Sequence, residues 1–382
     1  MYLLRRRGRV LAVEREMDGV AELKVEVEGR EERALNYPVL TGPALPGDEV
    51  LLNVTAVRLG LGTGGYHFVM ANLTRPEGGE VAPGHIMKLR YTPAQAAVLA
   101  AEEEGSPWRE AMLAARSLQG TPVIALGLHS QLGPAAAGVK AASVAGAPLK
   151  AGRRPGLRVA YVQTEGGALS LPFSRLVIQL KQKGFIDGAV SAGQAWGGDL
   201  EAVNLYSGLL AAKEVFRAEV IIAGPGPGGA GTGSPWGFSA VEQGQIINAV
   251  AALGGRPLAV PRLSTADARA RHRGISHHTL TALGRVALAP AVVVFPYLRG
   301  GPSARWLCQA RKAGLFRLHR PALADGRPAL RALEAAGIEI ESMGRKFIDD
   351  PLFFLAAGAA GALAARFAGE IKIAGGGRDG SS

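Results

Sequence analysis

From about residue 120 onward, the sequence repeats one pattern: a short apolar stretch, a loop of glycine and small polar residues, and an amphipathic stretch. The apolar stretches begin roughly thirty residues apart, which is typical of strands that alternate with helices. Parallel strands need such long crossover connections, so the pattern predicts a parallel sheet covered by helices. The predicted strands cover residues 122–128, 157–162, 187–190, 218–223, 257–260, 291–296, 315–318 and 337–340.

The architecture of this sheet is either open or closed. Eight strand and helix units would suit a closed β/α barrel. Their uneven spacing favours an open α/β sheet with helices on both faces, doubly wound and Rossmann-like. In both architectures a ligand binds at the carboxyl ends of the strands, so we expect function in the loops that follow them.

The first 75 residues show a different pattern, in which apolar and polar residues alternate at period two between turns that contain glycine. This predicts short strands that close into a small β-barrel or sandwich. Further on, Thr92 followed by Pro93 predicts the capped start of a helix. We therefore predict a small all-β domain over residues 1–80, a linker and helix over residues 81–120, and an α/β domain over residues 121–382.

The positive charge of the chain is concentrated in one segment. Residues 256–320 contain 12 basic side chains and one acidic side chain, Asp267, whereas the remainder of the chain is nearly balanced. The net charge of +11 is therefore carried by this segment, which favours an anionic partner.

The sequence also bears on the compartment. The single cysteine, Cys308, cannot form an internal disulfide, and the N-terminus lacks the apolar stretch of a secretion signal. The longest apolar run, residues 352–365, is shorter than the about 20 residues that span a membrane. We expect a cytoplasmic protein with no membrane partner.

Residues 262–279 are the strongest candidate for a functional site. They contain three imidazoles, one carboxylate, four hydroxyls and four guanidiniums. Guanidinium groups bind phosphate or carboxylate with paired donors, and imidazole transfers protons near neutral pH. The candidate catalytic residues are His272, His277, His278 and Asp267, and the candidate ligand-binding residues of this segment are Arg262, Ser264, Arg269, Arg271 and Arg273. The alternative is a solvated basic turn between two helix caps.

The histidine spacing does not match a known helical metal motif. Ligands one helical turn apart are expected in a zincin, and His272, His277 and His278 do not have that spacing. A metal would need Asp267 or His129 as a further ligand, so no metal site is predicted.

A glycine-rich loop follows the predicted strand 218–223. Such a loop leaves backbone amides free to approach an anion, and the dipole of the following helix favours negative charge. The candidate ligand-binding residues here are Gly224, Gly226, Gly228, Gly229, Gly231 and Thr232. The glycine spacing formally fits the dinucleotide fingerprint, but two prolines and the absence of an acidic residue after the next strand depart from it, so the cofactor stays unknown. Ser239 and Glu242 match a capping box at the start of that helix.

Polar residues also follow the first three predicted strands. His129, Glu165, Ser191 and Gln194 are further candidate ligand-binding residues, because parallel strand ends meet at one edge of the sheet. The order Ser191, Asp267, His277 also matches the triad order of α/β-hydrolases, which makes a serine hydrolase an alternative.

Four stretches of the sequence carry a resemblance to a known family. Residues 59–68, 127–132, 191–204 and 271–279 are similar to a bacterial family known only as a domain of unknown function. The resemblance covers essentially the whole chain. It implies a stable, self-contained bacterial protein and supplies no activity, cofactor or catalytic residue.

The sequence therefore leaves the reaction unknown and supports three hypotheses. The first is binding or enzymatic turnover of a small phosphate- or carboxylate-bearing molecule at the glycine loop and the arginine and histidine segment. The second is nucleic-acid binding by the basic segment, which is less favoured because the N-terminal domain has no net charge and aromatic residues are sparse. The third is an interaction role in which the β domain mediates formation of a homo-oligomer.

Overall fold

The computed structural model describes residues 2–62, 64–79, 83–144, 156–298 and 304–376. Residues 299–303 of the basic segment therefore lie outside the described residues. The chain divides into two compact units, Met1–Leu99 and Ala100–Ser382.

The first unit contains a closed five-stranded barrel. Its strands are β1 (Arg5–Met17), β2 (Val20–Val27), β3 (Arg30–Asn36), β4 (Glu49–Asn53) and β5 (Tyr66–Asn72), and its short helices are α1 (Pro38–Thr41) and α2 (Thr55–Arg58). The strand order is β1-β2-β3-β5-β4, with β1 also paired to β4; β3 and β5 run parallel, and the other pairs are antiparallel. Leu23, Val25 and Val27 alternate along β2 and are fully buried, as period-two patterning requires. The prediction of a small β-barrel is confirmed.

A hairpin follows the barrel, formed by β6 (Ile86–Lys88) and β7 (Ala96–Val98). The predicted helix start at Thr92 is wrong, because Thr92 lies in the turn between these two strands. Leu89 and Tyr91 adopt positive φ angles of 50° and 58°, a conformation that ends regular structure, and the Thr92 hydroxyl donates to the Leu89 carbonyl at 2.7 Å.

The second unit is an α/β unit, and eight of its strands form one sheet. The strands are β8 (Pro122–Ala125), β9 (Val159–Thr164), β10 (Gly188–Ala192), β11 (Leu200–Ala202), β12 (Val220–Pro225), β13 (Arg256–Ala259), β14 (Leu263–Ser264), β15 (Gly274–Ile275), β16 (Val292–Pro296), β17 (Arg320–Ala324), β18 (Glu341–Ser342) and β19 (Arg345–Lys346). The eight-stranded sheet has the order β11-β10-β9-β12-β8-β13-β16-β17 and is parallel throughout. The pairs β14-β15 and β18-β19 are separate and antiparallel.

Helices cover both faces of this sheet. They are α3 (Arg109–Ala114), α4 (Leu132–Val144), α5 (Arg175–Gln182), α6 (Leu205–Glu214), α7 (Glu242–Ala252), α8 (His277–Thr281), α9 (Ala304–Lys312), α10 (Leu315–Leu318), α11 (Arg327–Ala335) and α12 (Pro351–Gly376). Helices α4, α11 and α12 pack together on one face, and α6 and α7 pack together on the other. The open, doubly wound, Rossmann-like prediction is confirmed, and the sheet is not the alternative closed barrel.

Two of the predicted strands are wrong. Residues 315–318 form helix α10, and residues 337–340 are not part of the eight-stranded sheet. The sheet instead contains two strands that were not predicted, β11 and β17, which form its two edges. Apolar runs of four residues do not distinguish a strand from a turn of helix by periodicity alone.

The strand order places a crevice between β8 and β12. From β8 the chain continues to β9 on one side, whereas from the neighbouring strand β12 it continues to β13 on the other side. The two following loops therefore diverge toward opposite faces of the sheet, and ligands of open α/β sheets bind at such a point.

Helix α12 supplies much of the packing on one face. Its Pro351–Ile371 stretch is long and apolar enough to cross a membrane, but 78% of its most apolar window is buried inside the protein. It crosses α4 at glycine contacts, where a Cβ on Gly361 would lie 2.1 Å from the Ala135 carbonyl oxygen and a Cβ on Gly138 would lie 2.3 Å from that of Gly358. The two helix backbones touch only because these positions have no side chain.

We expect Gly361→Ala to lower the free energy of unfolding by about 1–3 kcal/mol or more, because its methyl group would overlap the backbone of α4. Gly369→Ala is the matched control in the same helix, since a Cβ there meets no atom within 4 Å. That control should be neutral or stabilising by up to about 1 kcal/mol through helix propensity. Urea denaturation of both variants measures the difference, and equal effects would contradict the packing described here.

Candidate functional site

A cleft of about 560 Å³ lies in the α/β unit at the carboxyl ends of β8, β12 and β13. It is lined by residues that follow these three strands, by the first turns of α5 and by residues 339–343. The cleft therefore occupies the crevice that the strand order creates.

The glycine-rich loop after β12 forms one wall of the cleft. Gly226, Gly228, Gly229 and Gly231 all line it. The loop ends at Ser239 and Ala240, which precede α7 and also line the cleft. The start of a helix therefore faces the cleft, and its partial positive charge favours an anion there.

Two residues of this predicted loop motif have other roles. Gly224 is buried within β12, and Thr232 donates to the Gly237 carbonyl at 3.0 Å without lining the cleft. The predicted capping box is wrong, because Ser239 accepts from the Ala230 amide at 3.0 Å and Glu242 accepts from the Thr164 hydroxyl at 2.7 Å. Burial raises the pKa of Glu242.

Another part of the cleft lining carries arginine side chains around a buried carboxylate. Asp267, which is 1% exposed, accepts from Arg262 at 3.0 Å, from two nitrogens of Arg269 at 3.0 Å each, and from Arg345 at 3.3 Å. Burial alone would raise the pKa of Asp267, but the hydrogen bonds and charge of Arg269, together with Arg262, outweigh it and lower that pKa well below its usual range. Asp267 does not line the cleft and stays ionised at neutral pH, so it positions arginines and is not available for proton transfer.

Arg262, Arg269 and Arg271 line the cleft. Arg262 is 6% exposed, and its Nε has no hydrogen-bond partner among the described residues. Burial lowers the pKa of Arg262 to about 10, so this guanidinium stays charged at neutral pH. Arg271 forms no ion pair with any described residue, and its guanidinium lies against the glycine loop, 3.4 Å from where a Cβ of Gly233 would stand.

Two other predicted residues, Arg273 and Ser264, lie outside the cleft and stabilise the turn around Asp267. Arg273 donates to the carbonyl oxygen of Asp267 at 2.9 Å, and neither it nor Ser264 lines the cleft. Ser264 is buried, donates to Asp350 at 2.6 Å and accepts from the amide of Asp267 at 2.9 Å. These contacts hold the turn that presents Asp267.

The three histidines of the segment converge beside the arginines. His272 ends a short 3-10 turn, and His277 and His278 open α8, whose N-cap Ser276 accepts from the His278 amide at 3.2 Å. The ring centroids of His272 lie 5.1 Å from His277 and 4.9 Å from His278, and those of His277 and His278 are 4.3 Å apart. His272 and His278 line the cleft, whereas His277 is partly exposed beside it.

All three imidazoles are neutral at pH 7. Burial and the charges of Arg262 and Arg269 lower the pKa of His272 to about 3. Burial and the neighbouring histidines lower the pKa of His278 to about 3, and burial and Arg271 lower the pKa of His277. An imidazole with a pKa of about 3 is a weak base, so His272 and His278 are better suited to donate a lone pair than to carry a proton.

His129 lines the cleft, but both of its ring nitrogens are already engaged. Nδ1 lies 3.1 Å from the Pro225 carbonyl oxygen, so it carries the proton, and Nε2 accepts from the Ser174 hydroxyl at 2.7 Å. Tyr161 donates to the same carbonyl at 2.9 Å. Burial lowers the pKa of His129 to about 4. His129 therefore ties the loop after β12 to the start of α5.

The remaining predicted residues lie away from the cleft. Ser191 ends β10 and is fully buried, and Glu165 accepts from the backbone amide of Gln194 in a contact between two loops. None of the three lines the cleft. Three strands separate β10 from β13, a distance of about 19 Å at the usual strand spacing, so Ser191 does not meet Asp267 and His277 as a triad requires.

Sequence reasoning missed several residues of the cleft. Arg175 and Gln179 lie one turn apart at the start of α5, and Glu339, Glu341 and Ser342 come from the segment around β18. The spacing of Arg175 and Gln179 on a helix that follows a strand was the available signal. Glu341 and Ser342 directly follow the predicted strand 337–340, which was the available signal for them, and the Ser342 hydroxyl accepts from Ser130 at 2.9 Å.

Residues 33–361 match the family described as "Protein of unknown function (DUF3866)". The chain belongs to this family. The DUF3866 match begins inside the barrel and includes every cleft residue named above, which confirms the resemblance without supplying a function. No curated protein and no solved structure matches the chain.

We expect Asp267→Asn to lower the free energy of unfolding by about 3–5 kcal/mol, because it leaves the buried guanidinium of Arg262 without its counter-charge. Asp325→Asn is the matched control, since Asp325 pairs with Arg327 on the surface at 2.7 Å. The control should have a much smaller effect. Denaturation by urea compares the two, and a similar loss in both would show that the buried carboxylate does not organise this wall.

We expect the stability of the protein to fall as the pH drops from 6.5 toward 4, because buried His129 stays neutral while the unfolded chain takes up the proton. His129 alone contributes a loss of about 2 kcal/mol between pH 7.5 and pH 5. His129→Gln should flatten the curve by that amount. Urea denaturation of the wild type and the variant at several pH values measures this, and identical slopes for the two proteins would refute it.

Proposed function

We propose that the α/β unit binds a small molecule that carries a phosphate or carboxylate group in the cleft. The observation that carries this proposal is the buried guanidinium of Arg262, which lines the cleft with an Nε that has no partner among the described residues. A buried charged donor without an acceptor is unfavourable, and an anion in the cleft would supply the acceptor.

Both walls of the cleft support an anionic ligand. Arg269 and Arg271 extend the positive charge of Arg262, and Asp267 offsets part of it from behind the wall. The glycine loop and the residues that precede α7 line the same cleft. Backbone amides and guanidiniums around one space are the groups that hold phosphates and carboxylates in proteins.

The size and rim of the cleft favour a small ligand over a polymer. A volume of about 560 Å³ is within the range of small-molecule sites. Glu339 and Glu341 also line the cleft, and their exposed carboxylates would repel an extended polyanion that continued past it. We also propose that this ligand is bound in the cytoplasm, the reducing compartment expected for a chain with a single cysteine.

Arg271→Ala tests the proposal directly. Inorganic phosphate, sulfate and a panel of sugar phosphates, nucleotides and small carboxylates would be titrated by calorimetry into the full-length protein. We expect at least one of these anions to bind and the variant to bind it about tenfold to hundredfold more weakly, because a charge-assisted hydrogen bond is lost. Arg271 is exposed and forms no ion pair with a described residue, so the variant should fold.

Arg311→Ala is the matched control, because it removes the same charge from an exposed position of the basic segment that does not line the cleft. The control should bind the anion as the wild type does. An equal loss of affinity in both variants would mean that anion binding depends only on the overall charge of the protein. If no anion of the panel binds, the proposal is refuted.

Nucleic-acid binding is a second candidate, favoured by the barrel. A closed five-stranded barrel in which β3 pairs in parallel with β5 is an architecture used by oligonucleotide-binding proteins. Fluorescence anisotropy with single-stranded DNA and RNA at several salt concentrations tests it. Tight binding that weakens steeply with salt would support this candidate, and binding no stronger than that of a neutral control protein would exclude it.

A further inference from the structure

We propose that His272, His277 and His278 bind one divalent transition-metal ion of the zinc class. This site is separate from the proposed anion contacts, and it does not require that the cleft bind an anion.

The geometry of the three rings is the first observation. One nitrogen from each of His272, His277 and His278 lies within 4.8 Å of the other two. Two of these residues are adjacent at the start of α8, and the third comes from the turn that precedes it, so the backbone itself directs the rings to a common point.

The hydrogen bonding of the rings is the second observation. His277 Nε2 and His278 Nδ1 are buried, and neither has a partner among the described residues. His272 uses Nδ1 to contact the Ser276 hydroxyl at 2.7 Å, which leaves its Nε2 as the nitrogen available to a metal. A second contact of this kind commonly fixes the tautomer and orientation of a metal-binding histidine.

The donor set selects the class of ion. Three imidazoles suit Zn²⁺, Co²⁺, Ni²⁺ or Cu²⁺, whereas Mg²⁺ and Ca²⁺ require oxygen ligands. The ion would keep at least one open coordination position, because the described residues offer only three ligands and two of them, His272 and His278, line the cleft. Three protein ligands and an open position are typical of zinc sites that perform chemistry.

Metal binding requires a small contraction of the cluster. Bonds of about 2.1 Å to a tetrahedral ion place the ligating nitrogens about 3.4 Å apart, so the rings must approach one another by roughly 1 Å. His278 stacks on Phe238 with ring centroids 4.0 Å apart, which makes it the fixed member, and the partly exposed His277 is the ring with room to move.

The neighbouring arginines set the conditions of the experiment. Arg262, Arg269 and Arg271 lie near the cluster and raise its positive potential, so a divalent cation binds against some repulsion. Retention of metal through purification is therefore not the appropriate measurement. The full-length protein, stripped with a chelator and then freed of the chelator, should be titrated in chloride buffer with Co²⁺ and with Zn²⁺.

We expect Co²⁺ to bind once per chain and to give the intense visible absorption of a four- or five-coordinate ion, which Zn²⁺ then abolishes by competition. His277→Ala should weaken Zn²⁺ binding at least tenfold, and His272→Ala and His278→Ala should do the same. His85→Ala, at an exposed histidine of the first unit, is the matched control and should bind as the wild type does.

The outcome is decisive even where a variant fails to fold. If wild-type protein leaves the weak octahedral spectrum of aqueous Co²⁺ unchanged, the proposal is overturned without any variant. It is also overturned if folded His277→Ala binds Zn²⁺ with wild-type affinity. Because the titration contains no phosphate or carboxylate, its failure would leave the anion proposal standing, and the reverse also holds.

Discussion

Like charges on one wall of the cleft require a buried counter-charge, and Asp267 supplies it. Arg262 and Arg269 come from the same segment as Asp267 and Arg345 from a distant part of the chain, and all three donate to this carboxylate. Their mutual repulsion would otherwise separate them. The position of the arginines therefore depends on one residue that does not itself reach the cleft.

The fold could be predicted from the sequence wherever the signal was local. Period-two alternation identified the barrel, and alternating apolar and amphipathic stretches identified a doubly wound sheet. Errors arose where distant contacts decide the conformation. Residues 315–318 were predicted as a strand and form a helix, and the helix start predicted at Thr92 lies in a hairpin turn. A short motif indicates what a segment favours alone, and tertiary pairing can override it.

The candidate site could likewise be predicted only where the signal was local. The unusual density of arginine, histidine and glycine drew attention to two segments that the structure does bring to one cleft. Ser191 could not be excluded from the sequence, because strand order is not encoded locally, and in the structure three strands lie between β10, which carries Ser191, and β13. The three histidines were identified from the sequence, but their mutual proximity could not be predicted from their spacing. Motif spacing assumes one continuous helix, whereas His272 ends a turn and His277 and His278 begin α8.

The strand order also has a consequence for synthesis on the ribosome. Strand β8 is the first strand of the sheet to emerge, but its two neighbours are β12, which begins at Val220, and β13, which begins at Arg256. Roughly a hundred further residues must therefore be synthesised before β8 can pair with either neighbour, whereas β9 and β10 can already pair with each other. An apolar strand with two open edges is prone to aggregate, so the nascent chain is most in need of chaperone protection over that interval.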